Sequence, residues 1–298
     1  MASCIILAGG LSTRFPGGKL VYEVRPGKTM IETVSEALLD SRSCSEVLIV
    51  TSIHTMKSIE GLKRLVGDVD VIRDESLLPC RGPMRGITTG VLYASHHEVI
   101  TTPGDALWVK PSAIDRLREY SIRLGASVST PLWDDGFMPM LFMHIMDSRK
   151  INPMDLCIMR RAVSRPSDLF RVSSRLALIG SGLLGDDGLI FTTVNRPSDL
   201  FNPRPRIPSR RLVIMEEHNP YFTEAVRSES LGISGAALTG YLGEYRVYMG
   251  YEVRHLAIHA LQDACRTAKI IGDQAAVARL SNTLASMNPQ RRHGRIAC

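Results

Sequence analysis

The sequence predicts an α/β fold with three layers and a mainly parallel sheet, followed by an all-helical C-terminal region. Short apolar runs alternate with segments whose apolar residues recur at helical spacing, which is the pattern of β-α-β units. The length of 298 residues suits one large or two smaller domains, and 44% hydrophobic with 22% charged residues is ordinary for a globular protein. We expect a first domain at 1–203, a linker at 204–211 and a helical region at 212–298.

The first predicted strand is the apolar run at 5–7, which ends at glycines. Further strands are predicted at 46–50, 68–72, 98–102, 126–131 and 188–194, and helices at 30–40, 56–66, 84–94 and 111–124. In sheets of this kind ligands bind at the carboxyl ends of the strands. The loops that follow the strands are therefore the candidate site.

The proposed linker is part of "NPRPRIPSRR" (202–211), which holds three prolines and four arginines and has no periodic apolar pattern. Beyond it, helical spacing predicts helices. Tyr241, Tyr245, Tyr248 and Tyr251 are expected to form a core face there. These helices are also candidates for a homo-oligomer interface.

Composition argues against several other classes of protein. The six cysteines form no C-x-x-C pair and no metal-ligand spacing, so we expect reduced thiols, no disulfides and no zinc. No apolar run approaches the roughly 20 residues of a membrane helix, so we expect a soluble, cytoplasmic protein with no membrane partner. The net charge is +6, but the basic stretches lack interleaved aromatic residues, and we expect no nucleic-acid partner.

A glycine-rich loop follows the first strand, in "IILAGGLSTRFPGGKL" (5–20). Gly9 and Gly10 allow backbone N–H groups to come close to an anion, because no Cβ blocks the approach. Arg14 and Lys19 add positive charge within one loop length. The combination favours phosphate over a neutral ligand.

Polar side chains follow three later strands. Asp74 and Asp105 each lie just past a predicted strand, and Asn195 lies just past another. Mg²⁺ prefers a few hard oxygen ligands together with phosphate and water. Oxygen donors above a glycine loop with a lysine therefore predict a site for a Mg²⁺-bound triphosphate.

Four segments in order resemble the molybdenum cofactor guanylyltransferases and related small nucleotidyltransferases. Leu7, Ala8, Gly9, Gly10, Ser12, Arg14 and Lys19 match the signature L-A-G-G-x-S-x-R-M-G-x-x-K. "GPMRGI" (82–87) resembles the family's G-P-L-A-G-I, "GDALWV" (104–109) its D-M-P-F-V and "NRPSDL" (195–200) its N-T-P-E-D-L. The resemblance spans residues 3–203 and implies a Rossmann-like nucleotidyltransferase domain.

The resemblance also implies roles for individual residues. Leu7, Ala8 and Gly9 would contact the base, and the loop amides of Gly10 and its neighbours with Lys19 would hold the triphosphate. Asp74 matches an acidic residue that helps to bind the nucleotide, Asp105 the metal-binding aspartate, and Asn195 a residue near the metal. The implied catalytic residues are Lys19, Arg14 and Asp105.

The implied reaction is transfer of GMP from GTP to a phosphorylated acceptor, with molybdopterin favoured, and with Mg²⁺ as cofactor. Departures from the family pattern concern the substrates: Arg85 replaces a small residue, and Thr51 and Thr193 each stand where asparagine is usual. The alternatives are the same chemistry, guanylyl or cytidylyl transfer, on another acceptor such as cobinamide phosphate or a sugar 1-phosphate, and a nucleotide-binding regulator without catalysis.

Overall fold

The computed structural model describes residues 1–10, 15, 18–61, 69–216 and 218–287. In this part of the chain the strands are β1 (Ala2–Ala8), β2 (Glu23–Arg25), β3 (Lys28–Thr29), β4 (Cys44–Thr51), β5 (Val69–Arg73), β6 (Val99–Pro103), β7 (Val128–Leu132), β8 (Met143–Ile145), β9 (Leu176–Gly180) and β10 (Leu212–Met215). The helices there are α1 (Met30–Leu39), α2 (Ile53–Glu60), α3 (Gly82–Tyr93), α4 (Pro111–Arg123), α5 (Pro153–Arg160), α6 (Ser167–Val172), α7 (Ser198–Phe201), α8 (Asn219–Ser230), α9 (Ser234–Gly250), α10 (Arg254–Ile271) and α11 (Gln274–Met287).

The larger sheet of the described chain has the strand order β10-β9-β7-β8-β6-β1-β4-β5. β1 lies between β4 and β6 and is parallel to both, and β5 and β9 are parallel to β4 and β7. β8 is antiparallel to β6 and β7. Helices α1, α3 and α4 pack on the strands. The predicted mainly parallel sheet with flanking helices is confirmed, and so is the helical C-terminal region, α8–α11.

Local sequence explains the central elements. β6, β7 and β9 are buried at every residue, and β1 at all but Leu7, so none of the four alternates between apolar and polar faces. The buried hydroxyls of Thr101 in β6 and Thr130 in β7 donate to the backbone oxygens of Leu141 and Phe142. α1 begins at a capping box, in which Thr29 accepts from the Glu32 amide and the Glu32 side chain accepts from the Thr29 amide.

The strand predicted at 188–194 is wrong. The Asp186 carboxylate accepts hydrogen bonds from the Gly188 and Ile190 amides, at 2.8 and 2.9 Å, and folds the chain into a turn. Ile190 and Val194 are still buried, so the apolar run contributes core side chains without joining a strand ladder. β9, an apolar run upstream, pairs with β7 instead.

The expectation of reduced thiols is also wrong for four cysteines. Disulfides join Cys4 to Cys44 and Cys80 to Cys157, with Cα atoms 5.5 and 4.9 Å apart. Cysteine spacing could not predict these pairs, because 40 and 77 residues separate the partners and only the packing of β1 with β4, and of α3 with α5, brings them together.

The chain divides into two compact units. The first contains the sheet and is made of Met1–Asp134, Met138–Phe170 and Arg175–Ile214. The segment predicted as a linker, 204–211, belongs to this unit: the Gly180 amide donates to Arg211 O at 2.7 Å, and the Gly182 amide to Ser209 O at 2.8 Å. The next residues form β10, at the end of the sheet.

The second unit combines Asp135–Phe137, Arg171–Ser174 and the chain from Met215 onward. Its core holds a charged cluster with no solvent exposure, in which Arg171 donates to Glu244 at 2.6 and 2.7 Å and to Asp263 at 2.7 Å. Burial raises the pKa of Glu244, against the opposing charge of Arg171. Tyr241 and Tyr248 of the predicted tyrosine face are buried as well.

None of the helices in the described ranges is long and apolar enough to cross a membrane. Homo-oligomerisation through α8–α11 stays a prediction.

Candidate functional site

A cavity of about 390 Å³, here called the first cavity, lies at the carboxyl ends of β1, β4, β5 and β6. These four strands are neighbours in the sheet, and parallel strands present the loops after them on one edge. The cavity is lined by Leu7, Ala8, Gly9, Gly10, Lys19, Leu20, Val50, Ser52, His54, Asp74, Gly82, Pro83, Arg85, Gly86, Pro103, Asp105 and Leu141. Segments far apart in the chain therefore meet where the sequence predicted a site.

Two glycines let neighbouring segments come close to β1. The Gly104 amide donates to Leu7 O at 2.9 Å, and a Cβ on Gly104 would lie 3.3 Å from that oxygen and 3.2 Å from Ile31. A Cβ on Gly86 would lie 3.3 Å from the Leu7 side chain. A Cβ at either position would therefore require its neighbours to shift by a few tenths of an ångström.

Lys19 and Asp105 form an ion pair in the wall of the first cavity, between Lys19 Nζ and Asp105 Oδ2. Lys19 also donates to Val194 O at 3.0 Å, and the Val194 amide donates to Asp105 O at 3.0 Å. The Lys19 and Asp105 side chains are 17% and 18% exposed, so both remain accessible from solvent. A cation and a carboxylate are thus held side by side at the end of β6.

Asp74 lies directly after β5 and lines the first cavity, as the sequence predicted. Its amide donates to Thr51 O at 2.8 Å, which continues the pairing of β4 with β5. Thr51 itself is buried, and its hydroxyl donates to Ala8 O at 3.3 Å. At the end of β4 it is therefore Val50 and Ser52, on either side of Thr51, that line the cavity.

Asn195 does not line the first cavity. Its side-chain amide contacts Thr193, and its backbone amide donates to Asp199 at 2.8 Å. The chain places it next to Val194, which does contact Lys19 and Asp105. Arg14, the third candidate for catalysis, lies outside the described residues, as does Ser12.

His54 and Leu141 also belong to the cavity wall, although neither was predicted from the sequence. His54 lies in the first turn of α2, directly past a strand end, and that position was a usable signal. Leu141 does not lie directly after a strand, so no such signal marks it. Arg85, identified only as a departure from the family motif, is held by a hydrogen bond from its Nε to Cys80 O at 3.1 Å.

The N-terminus of α3 faces the first cavity through Gly82, Pro83 and Gly86. Within the described part of the chain no side chain caps this helix, so no capping group there occupies its first amides. Free amides and the positive end of the helix dipole favour an anion. Lys19 and Arg85 add positive charge to the lining of the cavity.

The donor set of the cavity fits Mg²⁺ bound together with a nucleotide. No group of three or more His, Cys, Asp and Glu residues is arranged to hold a metal within the described ranges. Mg²⁺ does not need such a cage, because it is commonly held by one or two carboxylates plus substrate phosphates and water. Asp105 offers one such carboxylate, in contact with a lysine that a phosphate can draw away.

Comparison with known proteins agrees with this geometry. The family model of the MobA-like NTP transferase domain matches residues 4–165, which include all four strand ends of the first cavity. The chain belongs to this family. Residues 166–298 lie outside the matched range.

Two archaeal relatives of this MobA-like chain have informative names. A "probable molybdenum cofactor guanylyltransferase" of Thermococcus sibiricus is 31% identical over 134 residues, which are 45% of this chain and 63% of the relative. One of the same name from Pyrococcus horikoshii is 26% identical over 198 residues, covering 65% of this chain and 95% of the relative. The chain spans 60–63% of the length of three Thermococcus relatives.

The fold has a solved counterpart. The crystal structure of molybdopterin-guanine dinucleotide biosynthesis protein A from Archaeoglobus fulgidus matches with a TM-score of 0.53 and 19% identity, covering 67% of this chain and 95% of that one. At this identity the likeness shows a shared fold. The MobA-like part of the chain thus has the architecture predicted from its sequence.

Proposed function

We propose that this MobA-like protein transfers GMP from GTP to a phosphorylated acceptor, molybdopterin, and releases pyrophosphate. One observation carries the proposal: four adjacent strand ends converge on a cavity that pairs Lys19 with Asp105. The choice of GTP and molybdopterin is supported by the names of the relatives from Thermococcus and Pyrococcus. The reaction belongs in the cytoplasm, where GTP is made.

The nucleotide binds in the first cavity with its base toward Leu7, Ala8 and Gly9 and its triphosphate toward Lys19. Asp74 supports the nucleotide on the β5 side. The acceptor phosphate attacks the α-phosphorus: a new P–O bond forms there, and the bond to the bridging oxygen of the β-phosphate breaks. No general base is required, because the second pKa of a phosphate monoester is about 6 and the acceptor is already an anion near pH 7.

Charge neutralisation and positioning supply the rate enhancement. Lys19 donates to phosphate oxygens and stabilises the negative charge that moves onto pyrophosphate. Arg14, which the signature motif places on the same loop, shares this role. Asp105 would hold Mg²⁺, which when bound would neutralise phosphate charge.

Pyrophosphate release tests the proposal directly. The four nucleoside triphosphates are combined in turn with molybdopterin, cobinamide phosphate and a sugar 1-phosphate, and pyrophosphate is measured. We expect release with GTP and molybdopterin. Pyrophosphate release with another nucleotide or acceptor would replace the assignment of the base or of the acceptor. Nucleotide binding without pyrophosphate release in any combination would favour a nucleotide-binding regulator without catalysis.

A further inference from the structure

A second cavity, of about 370 Å³, adjoins the first. Pro103 and Leu141 line both, so the two share a wall at the end of β6. A molecule in the second cavity would lie next to the Lys19–Asp105 pair. That is the position that a second substrate needs.

Aromatic and thioether side chains form one side of the second cavity. Trp133 is 7% exposed, and Phe142 packs edge to face on Phe191, with ring centroids 5.2 Å apart. Met138 and Met140 complete this wall. The indole Nε1 of Trp133 is buried and has no hydrogen-bond partner among the described residues. Such a wall suits a flat heterocycle with acceptor atoms on its edge.

Two arginines add positive charge. The guanidinium of Arg206 lies 4.4 Å from the centroid of the Trp133 ring, a cation–π contact. Arg204 lines the cavity beside Thr193 and Asn195, which flank the Val194 carbonyl that accepts from Lys19. Arg204, unlike Arg206, also lines a neighbouring cavity together with Thr193 and Asn195.

The backbone fixes the position of these arginines. The Arg206 amide donates to Gly188 O at 2.8 Å, and the Asp134 amide donates to Ile207 O at 3.2 Å. Gly188 has φ +100°, and a Cβ there would lie 2.3 Å from Arg206 O, so only glycine allows this close approach. The segment 204–206 is thus built into the cavity wall, although it lies beyond the range that the family model matches.

We infer that the second cavity is the acceptor site and takes a phosphorylated pterin. Trp133 and Arg206 hold the ring system, and Arg204 holds the phosphate, with Thr193 and Asn195 as further hydrogen-bonding groups. The inference rests on the proposed function and adds to it the residues that select the acceptor. It also explains the arginines at 204 and 206, for which the sequence analysis had no role.

Binding of two fluorescent probes tests the assignment. Neopterin monophosphate carries a pterin and a phosphate, and neopterin lacks the phosphate. Both are titrated into the full chain in the presence of α,β-methylene-GTP, which occupies the first cavity and cannot be cleaved there. Wild type, Arg204→Gln and Arg206→Gln are compared with Arg210→Gln, a matched control on the same exposed segment that lines neither cavity.

We expect Arg204→Gln to weaken binding of neopterin monophosphate by about 10-fold, as for loss of a charge-assisted hydrogen bond, and to leave neopterin unchanged. Arg206→Gln should weaken both probes, and Arg210→Gln neither. Failure of the wild type to bind the phosphorylated probe, or equal effects of all three variants, would overturn the acceptor site. The affinity for GTP, measured separately by calorimetry, should be the same in all variants. If the wild type did not bind GTP, the proposed function itself would be contradicted.

Discussion

The ammonium of Lys19 and the carboxylate of Asp105 contact each other across 86 residues of sequence. Each belongs to a different loop, one after β1 and one after β6, and the Val194 backbone ties both to a third. In the proposed reaction the lysine exchanges this carboxylate for phosphate oxygens. In that exchange the lysine would leave Asp105, and the carboxylate would then be available to a metal ion.

Lys19→Ala should weaken GTP binding far more than guanosine binding. Loss of one charge-assisted hydrogen bond corresponds to roughly 10- to 100-fold in Kd for the triphosphate. Calorimetric titration of both ligands measures this. Lys110→Ala is the matched control, because Lys110 forms an exposed ion pair with Asp187 outside the first cavity. Equal losses for GTP and guanosine would show that Lys19 is structural.

Cys80→Ser should lower the free energy of unfolding by about 2–4 kcal/mol under oxidising conditions, because the Cys80–Cys157 bridge closes a long loop in the unfolded chain. Urea denaturation with and without a reducing agent measures the difference. In reducing buffer the variant and the wild type should have nearly the same stability. A wild type whose stability does not respond to the reducing agent would contradict the disulfide.

Arg171→Met should destabilise the protein by about 3–5 kcal/mol, because it removes the buried positive charge that Glu244 and Asp263 share, although Asp263 keeps its 3.5 Å contact with Arg266. Glu244 and Asp263 both accept from this arginine and have no solvent exposure. Arg149→Met is the control: Arg149 pairs with Asp147 on the surface at 2.9 Å, and such pairs contribute about 0–1 kcal/mol. Similar urea midpoints for the two variants would contradict a structural role for the buried cluster.

The melting temperature should fall as the pH is lowered, because Glu98 contacts His144 and Arg118 in the folded chain. Burial by itself would raise the pKa of Glu98, but hydrogen bonds from His144 and Arg118 lower it to about 2. Burial lowers the pKa of His144, whose Nε2 lies 2.8 Å from Glu98 Oε1. Both groups therefore bind protons more weakly in the folded chain than in the unfolded one.

The expected pH profile has two steps. Below the usual histidine value of 6.5 the unfolded chain takes up a proton that folded His144 resists, and below 4.5 the same holds for Glu98 down to about 2. The melting temperature should thus be highest above pH 6.5 and decline in both ranges. His144→Gln should remove the step that begins below pH 6.5. A wild-type melting temperature that is constant from pH 7 to pH 4 would contradict this assignment.

Most of the first cavity was predictable from the sequence, because strand ends are marked locally. Gly9, Asp74 and Asp105 each follow an apolar run, and the rule for parallel sheets places such positions on one edge. Asn195 shows the limit of this approach. It follows an apolar run that forms a turn, and its side chain contacts Thr193 instead of entering the first cavity.

The second cavity was not predictable in this way. Trp133 and Arg206 are separated by 72 intervening residues and meet through the backbone contacts of a proline- and arginine-rich segment. Such a segment has no periodic pattern of apolar residues, so its position within the first unit depends on tertiary contacts alone. The two disulfides were not predictable either, because tertiary packing alone brings their cysteines together.

The most direct measurement of the central claim follows the phosphates of GTP through the reaction. GTP labelled on the α-phosphate or on the γ-phosphate is incubated with molybdopterin, Mg²⁺ and the protein, and products are separated by chromatography. We expect the α-label in the acceptor product and the γ-label in pyrophosphate. A folded Asp105→Asn variant should form neither labelled product. Appearance of the γ-label in the acceptor or in free phosphate, or full activity of Asp105→Asn, would contradict nucleotidyl transfer at the Lys19–Asp105 site.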